Sequence, residues 1–246
     1  MINQPKFTSS SSSSSSSTST PKDDKGDMIH FSFTLTYILL LTTGTITFVE
    51  ALRTDNPFVR HIMNLETCIS IVAGYFYSVF LQEIKSSSSS SFKQNKIDWG
   101  DITKTRYMDW CITTPMMLLT LCVVLGMHTK RPVHLPVFVC ILFLNYLMLY
   151  TGYLGERGAL DRTKATVLGF VPFFIMFAII FFCFVYPKYV KSNYILFSLY
   201  FVVWSMYGLV YLLDEITKNI ALNMLDITAK CFIGLGLWVY YTQVIV

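Results

Sequence analysis

Seven stretches of about 20 mostly apolar residues, the length that spans a bilayer as an α-helix, follow one another along the chain. They lie at about 30–52, 62–82, 106–126, 134–154, 165–186, 193–213 and 216–243. Each is bounded by charged residues or by clusters of Pro, Gly or Ser, which are typical of helix ends. Because lipid excludes open sheet edges, the pattern predicts an all-α membrane protein with a seven-transmembrane helix bundle.

Two serine tracts interrupt this pattern. The first, Ser9–Ser17, lies in a polar segment that cannot bury a core, so residues 1–27 are predicted to be a disordered tail and residues 28–246 the bundle. The second, Ser86–Ser91, makes the connection between the second and third helices, at about 85–100, a flexible loop. Since no signal peptide is recognisable, the first helix is expected to direct membrane insertion itself.

Composition narrows the functional classes. With 53% hydrophobic and 14% charged residues, the chain is too apolar for an ordinary soluble domain. Its six cysteines and four histidines show no metal-binding spacing, so no metal site is expected. The net charge of +4 says little about partners, and neither a nucleic-acid partner nor an enzymatic activity is predicted.

Ionisable residues inside the apolar stretches are the strongest functional signal. Lys230 lies in the seventh stretch with Asp226 one helical turn before it, so both side chains share one helix face. A lysine amine can form a Schiff base with a carbonyl ligand, and the protonated product needs a nearby anion. Arg106 and Asp109 are likewise one turn apart on the third helix, and Thr113 continues that polar face. If the two faces meet, two cations and two anions balance in the interior.

The third helix reads Arg106-Tyr-x-Asp109-Trp110-x-x-Thr113-Thr114-Pro115, and the seventh reads Asp226-x-x-x-Lys230. Together these motifs resemble those of microbial (type I) rhodopsins, and the resemblance covers roughly residues 30–244 with all seven helices in order. The serine tracts suggest a rhodopsin of the viral or eukaryotic kind. The resemblance implies all-trans retinal bound covalently through Lys230. It also implies that Asp109 is the primary counterion and proton acceptor, Asp226 the second counterion, and Arg106 a residue of the extracellular side.

Further positions match the family's retinal pocket, which needs flat aromatic walls and little free volume. The matching residues are Trp110, Thr114, Met117, Met148, Gly152, Gly169, Phe173, Trp204, Tyr207 and Tyr211.

Three positions depart from the proton-pumping members of the family. Thr120 stands where efficient pumps carry a carboxylate that reprotonates the Schiff base, and a hydroxyl cannot donate a proton near neutral pH. Lys218 stands where some pumps hold a carboxylate for proton release, and Gly208 replaces the usual proline after the tyrosine of the sixth helix. These departures argue against fast proton pumping.

Additional polar residues could form an ion pathway on the cytoplasmic side. Glu50 near the end of the first helix and Glu66 near the start of the second could recruit cations or relay protons, or they could simply be solvated at helix ends. Asn64, Asn145 and Asn223 could extend this pathway with Thr120, or each asparagine could connect neighbouring helices. A contact between Thr114 and Asn145 would bridge the third and fourth helices.

The combined interpretation is a retinal-binding photoreceptor that transports ions in a light-dependent way. A light-gated cation channel is favoured over a slow outward proton pump, because Thr120 lacks donor chemistry while Glu50 and Glu66 add carboxylates. A sensory photoreceptor that signals to a partner without ion flux is the alternative from another class. The protein is expected to be a multi-pass membrane protein with an extracellular N-terminus. Because relatives often form trimers or pentamers, a homo-oligomer in the lipid bilayer is also expected.

Overall fold

In a computed structural model, the described part of the chain forms a bundle of seven helices, each long and apolar enough to cross a membrane. The structure describes residues 21–89 and 97–242. The helices are α1 (Pro21–Arg53), α2 (Pro57–Ser89), α3 (Trp99–Thr129), α4 (Leu135–Glu156), α5 (Arg162–Val185), α6 (Lys191–Val210) and α7 (Glu215–Thr242). The predicted seven-helix bundle is therefore confirmed. We call the end where α1, α3, α5 and α7 begin the amino end of the bundle, and the opposite end the carboxyl end.

The first three helices extend well beyond the apolar stretches that predicted them. Because α1 begins at Pro21, the prediction of a disordered tail is wrong for residues 21–27, and residues 1–20 lie outside the described part of the chain. The predicted loop at 85–100 is shorter, since α2 runs to Ser89 and α3 begins at Trp99, with residues 90–96 again outside the description. Hydropathy detects only the apolar core of a spanning helix, whereas its polar end turns continue beyond that core.

Local hydrogen bonds explain where the helices of the site begin. The side chain of Asp98 accepts hydrogen bonds from the backbone N–H groups of Gly100 (2.9 Å) and Asp101 (3.3 Å), which starts α3. Asp214 caps α7 in the same way through the N–H of Thr217 at 3.1 Å, and this hydrogen bond holds the pKa of the Asp214 carboxyl below its usual value. Both helices therefore enter the bundle from capped ends at the amino end.

Two helices depart locally from α-helical geometry. The last turn of α5, Phe181–Val185, and the middle of α7, Ile227–Phe232, are π-helical. Such segments occur frequently at functional sites because they change the direction of the side chains that follow. The segment in α7 contains Lys230, so the local geometry marks the same residue as the sequence does.

Candidate functional site

Lys230 lies at the centre of the bundle, only 1% exposed, between two carboxylates. Its Nζ atom is 2.7 Å from Oδ2 of Asp109 on α3 and 3.5 Å from Oδ2 of Asp226 on α7, and both aspartates are fully buried. The arrangement predicted from the two helix faces is present. A buried ammonium group is tolerated only beside anions, and Asp109 is the closer of the two.

Arg106 completes the charge balance on the side of Asp226. Its Nη1 atom is 3.7 Å from Asp226 Oδ2, and its guanidinium lies over the rings of Phe33 and Phe80 at 5.5 and 5.1 Å. Arg106 is 2% exposed, so two cations and two anions are buried together in the interior. The net charge of this group is zero, as a low-dielectric environment requires.

The polar network around Arg106 contains residues that the sequence interpretation missed. The hydroxyl of Tyr77 on α2 lies 2.8 Å from Asp226 Oδ2, and Arg106 Nη2 donates to Oδ1 of Asn219 at 3.1 Å and of Asn223 at 2.9 Å. Asn223 in turn donates to Oγ of Ser32 on α1 at 3.0 Å. The spacing of positions 219, 223, 226 and 230 is that of one helix face, which could have identified Asn219. Tyr77 had no such signal, because it is one of 15 tyrosines.

Two threonines of α3 take different roles beside the carboxylates. Thr113 donates its hydroxyl to the backbone oxygen of Asp109 at 2.9 Å, so it supports that segment of helix without contacting the carboxylate. Thr114 accepts a hydrogen bond from Nδ2 of Asn145 at 2.9 Å. The predicted contact between Thr114 and Asn145 is thus present, and Asn145 bridges α3 and α4.

An apolar cavity extends from Lys230 between α3, α4, α5 and α6. All ten positions matched to the retinal pocket line it, namely Trp110, Thr114, Met117, Met148, Gly152, Gly169, Phe173, Trp204, Tyr207 and Tyr211. The rings of Trp110 and Tyr207 are nearly perpendicular, at 86°, and their centroids are 5.6 Å apart. Asp109 Oδ1 is buried without a hydrogen-bond partner among the described residues. A flat apolar polyene with one cationic end fits this combination of aromatic walls, a buried amine and an available carboxylate oxygen.

Small residues let aromatic side chains close the cavity wall. A Cβ atom at Gly152 would stand 2.6 Å from the hydroxyl of Tyr107, so only glycine allows this approach. At Gly208 on α6, a Cβ atom would stand 2.6 Å from the ring of Phe170. The absence of a side chain at 208 therefore makes room for a ring of α5 at the α5–α6 contact.

Glu66 lies on the other side of Lys230, towards the carboxyl end, and is 2% exposed. It is eleven residues before Tyr77 on α2, which corresponds to about 16 Å along the helix axis. Thr120 of α3 lies beside its carboxyl group, and Gly234 of α7 faces it so closely that an added Cβ would stand 2.8 Å from Oε2. Position 120 of α3 carries a hydroxyl rather than a carboxylate, and the carboxylate beside it is that of Glu66 on α2.

The residues of the predicted ion pathway do not all lie together. Asn64 is exposed on the outer face of α2, and Asn223 lies on the amino side of Lys230 in the Arg106 network. The structure thus does not bring these two asparagines together with Glu66, because residue type alone does not show which helix face a side chain occupies. Glu50 is half-buried near the carboxyl end, where Nε1 of Trp238 donates to it at 3.4 Å.

Comparison with known proteins gives a consistent picture. Residues 27–244 match the model of a family described as bacteriorhodopsin-like protein. A crystal structure of the viral rhodopsin OLPVRII is similar, with 42% identity, a TM-score of 0.80, and coverage of 89% of this chain and 99% of that chain. Among curated protein sequences, none matches this chain.

Two more distant structures share the fold. Xanthorhodopsin, described as a light-driven ion pump with dual chromophore, aligns with 19% identity and a TM-score of 0.69 over 87% of this chain and 92% of that chain. The proton-pumping rhodopsin AR2 from the marine alga Acetabularia acetabulum aligns with 16% identity and a TM-score of 0.70 over 88% of this chain and 96% of that chain.

Proposed function

The chain belongs to the bacteriorhodopsin-like family, and from this premise we propose that it moves protons in response to light, from the carboxyl end of the bundle to the amino end. It is a multi-pass integral membrane protein, and its cofactor is retinal bound covalently through Lys230. Members of this family are typically ion pumps, channels or sensors rather than enzymes. When bound, retinal supplies a light-absorbing cation whose change of shape moves charge at Lys230.

The residues beside Lys230 are placed to accept a proton on one side. Asp109 Oδ2 is 2.7 Å from Lys230 Nζ, within direct transfer distance. Asp226 already accepts hydrogen bonds from Tyr207 at 2.7 Å and Tyr77 at 2.8 Å, and these bonds stabilise its ionised form. Asp109 Oδ1 has no such partner among the described residues. Asp109 is therefore the carboxylate free to take the proton, while Asp226 keeps its charge.

The observation that carries the direction is the position of Glu66. Its carboxyl group is buried beside Thr120, and within the described residues no cation lies within ion-pair distance of it. Burying an unpaired carboxylate is unfavourable, so Glu66 holds a proton at rest and can return it to Lys230 from the carboxyl side. Loss of a proton towards Asp109 and its return from Glu66 together give transport in one direction.

Voltage-clamped cells that express the protein with retinal test this function. A pump gives a light-evoked current that keeps one sign at all voltages and acidifies the amino side. Replacing Glu66→Gln should slow the recovery of the dark state by about tenfold or more, because a proton donor is lost. The control Asp55→Asn removes an exposed carboxylate in the α1–α2 connection and should leave recovery unchanged. Equal recovery rates in Glu66→Gln and the unmodified protein would contradict the role of Glu66.

A light-gated cation channel is the second candidate, supported by a row of buried hydroxyl groups beside Glu66. These hydroxyls belong to Thr43, Thr47, Thr67 and Ser70, each at most 5% exposed. Polar groups of this kind can line a water-filled path when helices separate. A current that reverses sign with the cation gradient would establish the channel, and the absence of any light-evoked current would favour a sensor.

We further infer that the amino end faces the outside of the cell and that the protein assembles with copies of itself. The orientation is supported by the resemblance to microbial rhodopsins, which implies that Arg106 lies on the extracellular side of Lys230. Acidification of the external medium by illuminated cells would agree with it, and alkalinisation would reverse it. The mass of the detergent-solubilised protein measures the assembly.

A further inference from the structure

Four charged side chains of alternating sign form a closed ring at the amino end of the bundle. Lys218 Nζ lies 2.9 Å from Glu156 Oε1 and 2.9 Å from Glu215 Oε2. Arg162 Nη2 lies 3.1 Å from Glu156 Oε2 and also pairs with Glu215. Each cation therefore touches both anions, and the ring joins α4, α5 and α7. We call these four residues the charge ring.

Burial differs sharply between the two sides of the charge ring. The side chains of Lys218 and Glu156 are 3% and 6% exposed, whereas those of Arg162 and Glu215 are 36% and 34% exposed. Lys218 and Glu156 also line the cavity that contains Lys230. The charge ring thus stands between this cavity and the aqueous phase, with one buried pair inside and one half-exposed pair outside.

The charge ring is connected to the counterions of Lys230. Asn219, the neighbour of Lys218 in α7, accepts a hydrogen bond from Arg106 at 3.1 Å and donates one to the backbone oxygen of Glu215 at 2.9 Å. Arg106 contacts Asp226 at 3.7 Å. A change of charge at Lys230 can therefore reach the first turn of α7 through the side chains of Asp226, Arg106 and Asn219.

A neutral ring of four charges has two stable arrangements rather than a graded series. Removing Lys218 or Glu156 leaves an uncompensated charge in a poorly solvated place, which is strongly unfavourable. The ring is therefore either closed, with its inner pair shielded from water, or open with all four groups hydrated. We propose that the charge ring is the amino-end gate of the path that leads to Lys230, and that Lys218 is the residue that determines which ions pass it.

The position of Lys218 on the cavity side of the ring makes it the residue that determines ion specificity. This assignment rests on the proposed function. In an open gate the ammonium group of Lys218 faces the cavity and repels metal cations. A proton can still pass by exchange at the carboxyl group of Glu156, to which Lys218 donates at 2.9 Å. Without Lys218, the remaining ring carries two anions and one cation, so cations are attracted instead of repelled.

The gate is tested in the dark with hydroxylamine, a small water-soluble reagent that releases retinal from the lysine and removes the visible colour. In Lys218→Met the colour should be lost at least about tenfold faster, because the buried half of the ring is broken. Lys218→Arg keeps the charge and should react at nearly the unmodified rate. The matched control Lys164→Met removes an exposed lysine of α5 at the same end and should have no effect. An unchanged rate in Lys218→Met would overturn the gate.

If Lys218→Met does not bind retinal, Arg162→Met tests the gate instead, because it removes a cation from the outer, half-exposed pair of the ring. This variant should also accelerate the reaction with hydroxylamine, and an unchanged rate would equally overturn the gate.

The specificity of the gate is tested by photocurrents in two sodium gradients. Lys218→Met should give a current whose size depends on sodium, whereas the unmodified protein should give one that does not. A sodium-independent current in a variant that admits hydroxylamine would overturn the role of Lys218 in specificity but leave the gate. If the unmodified protein gives no current, the proposed function fails, while the hydroxylamine result still decides the gate.

Discussion

The two carboxylates beside Lys230 differ in the number of hydrogen bonds they accept. The carboxylate of Asp226 accepts hydrogen bonds from two tyrosine hydroxyls and lies near Arg106, whereas among the described residues that of Asp109 accepts one only from Lys230. Hydrogen bonds to the ionised form stabilise that form. At the scale of single residues, this asymmetry supports the proposal that Asp226 keeps its charge while Asp109 changes its protonation state.

Replacing Asp109→Asn removes the closer anion from beside a cation. The protonated form of the linkage at Lys230 should lose stabilisation, so the visible band should disappear at a pH lower by about one to three units. A pH titration of visible absorbance measures this shift. Asp101→Asn removes an exposed carboxylate from the first turn of the same helix and should leave the titration in place. A titration that does not move in Asp109→Asn would identify Asp226 as the main counterion.

Replacing Tyr77→Phe removes the hydroxyl that lies 2.8 Å from Asp226. We expect the free energy of unfolding to fall by about 1.5–3 kcal/mol, the range for a hydrogen bond to a charged group. Thermal loss of the visible colour measures the effect. Tyr75→Phe, two residues away on α2, removes a hydroxyl from a side chain that is 65% exposed and serves as the control. Equal losses in the two variants would show that the bond to Asp226 contributes nothing.

At the scale of the helices, the apolar stretches located all seven elements but misplaced several ends. Trp99 rather than residue 106 begins α3, because Asp98 supplies hydrogen bonds to the free N–H groups of the first turn. The π-helical segment around Lys230 was also not predicted. Hydropathy does not distinguish π-helical from α-helical backbone, since it depends only on the types of residue along the chain.

The contact between α4 and its neighbours depends on Gly155. An added Cβ would stand 2.6 Å from Cβ of Ala165 and would also meet the hydroxyl of Tyr211. Gly155→Ala should therefore destabilise the bundle by about 1–3 kcal/mol through overpacking. Gly236→Ala is the control, because nothing lies within 4 Å of the added atom there and alanine is the better helix former. The temperature at which colour is lost should fall in the first variant only.

At the scale of the whole molecule, eight charged side chains form two sets of four that are each neutral. One set surrounds Lys230 at the centre, and the other is the charge ring at the amino end. Glu66 belongs to neither set and lies towards the carboxyl end. The bundle therefore has an ionised amino half and a carboxyl half whose central acid is without a cation among the described residues. In the proposed function, this difference between the halves gives proton movement its direction.

Replacing Lys230→Ala disturbs the central set and the colour of the protein together. No visible band should form with added retinal, because the amine that binds it is gone. The retinal-free protein should also lose about 3–5 kcal/mol of stability, since Asp109 is left buried without its cation. Lys230→Ala combined with Asp109→Ala restores the balance and should recover part of that loss. A visible band in Lys230→Ala would exclude this lysine as the attachment point.

The sequence alone determined the class of the protein and the centre of its site. Helix-length apolar stretches specify a bundle because lipid permits little else, and the spacing of Asp226 and Lys230 places both on one face through local geometry. Only the tertiary structure showed that Tyr77 reaches Asp226, that Glu66 stands beside Thr120, and that Lys218 closes a ring with Glu156. These pairs lie on different helices. Their contacts depend on how each helix is rotated and packed, which no local pattern encodes.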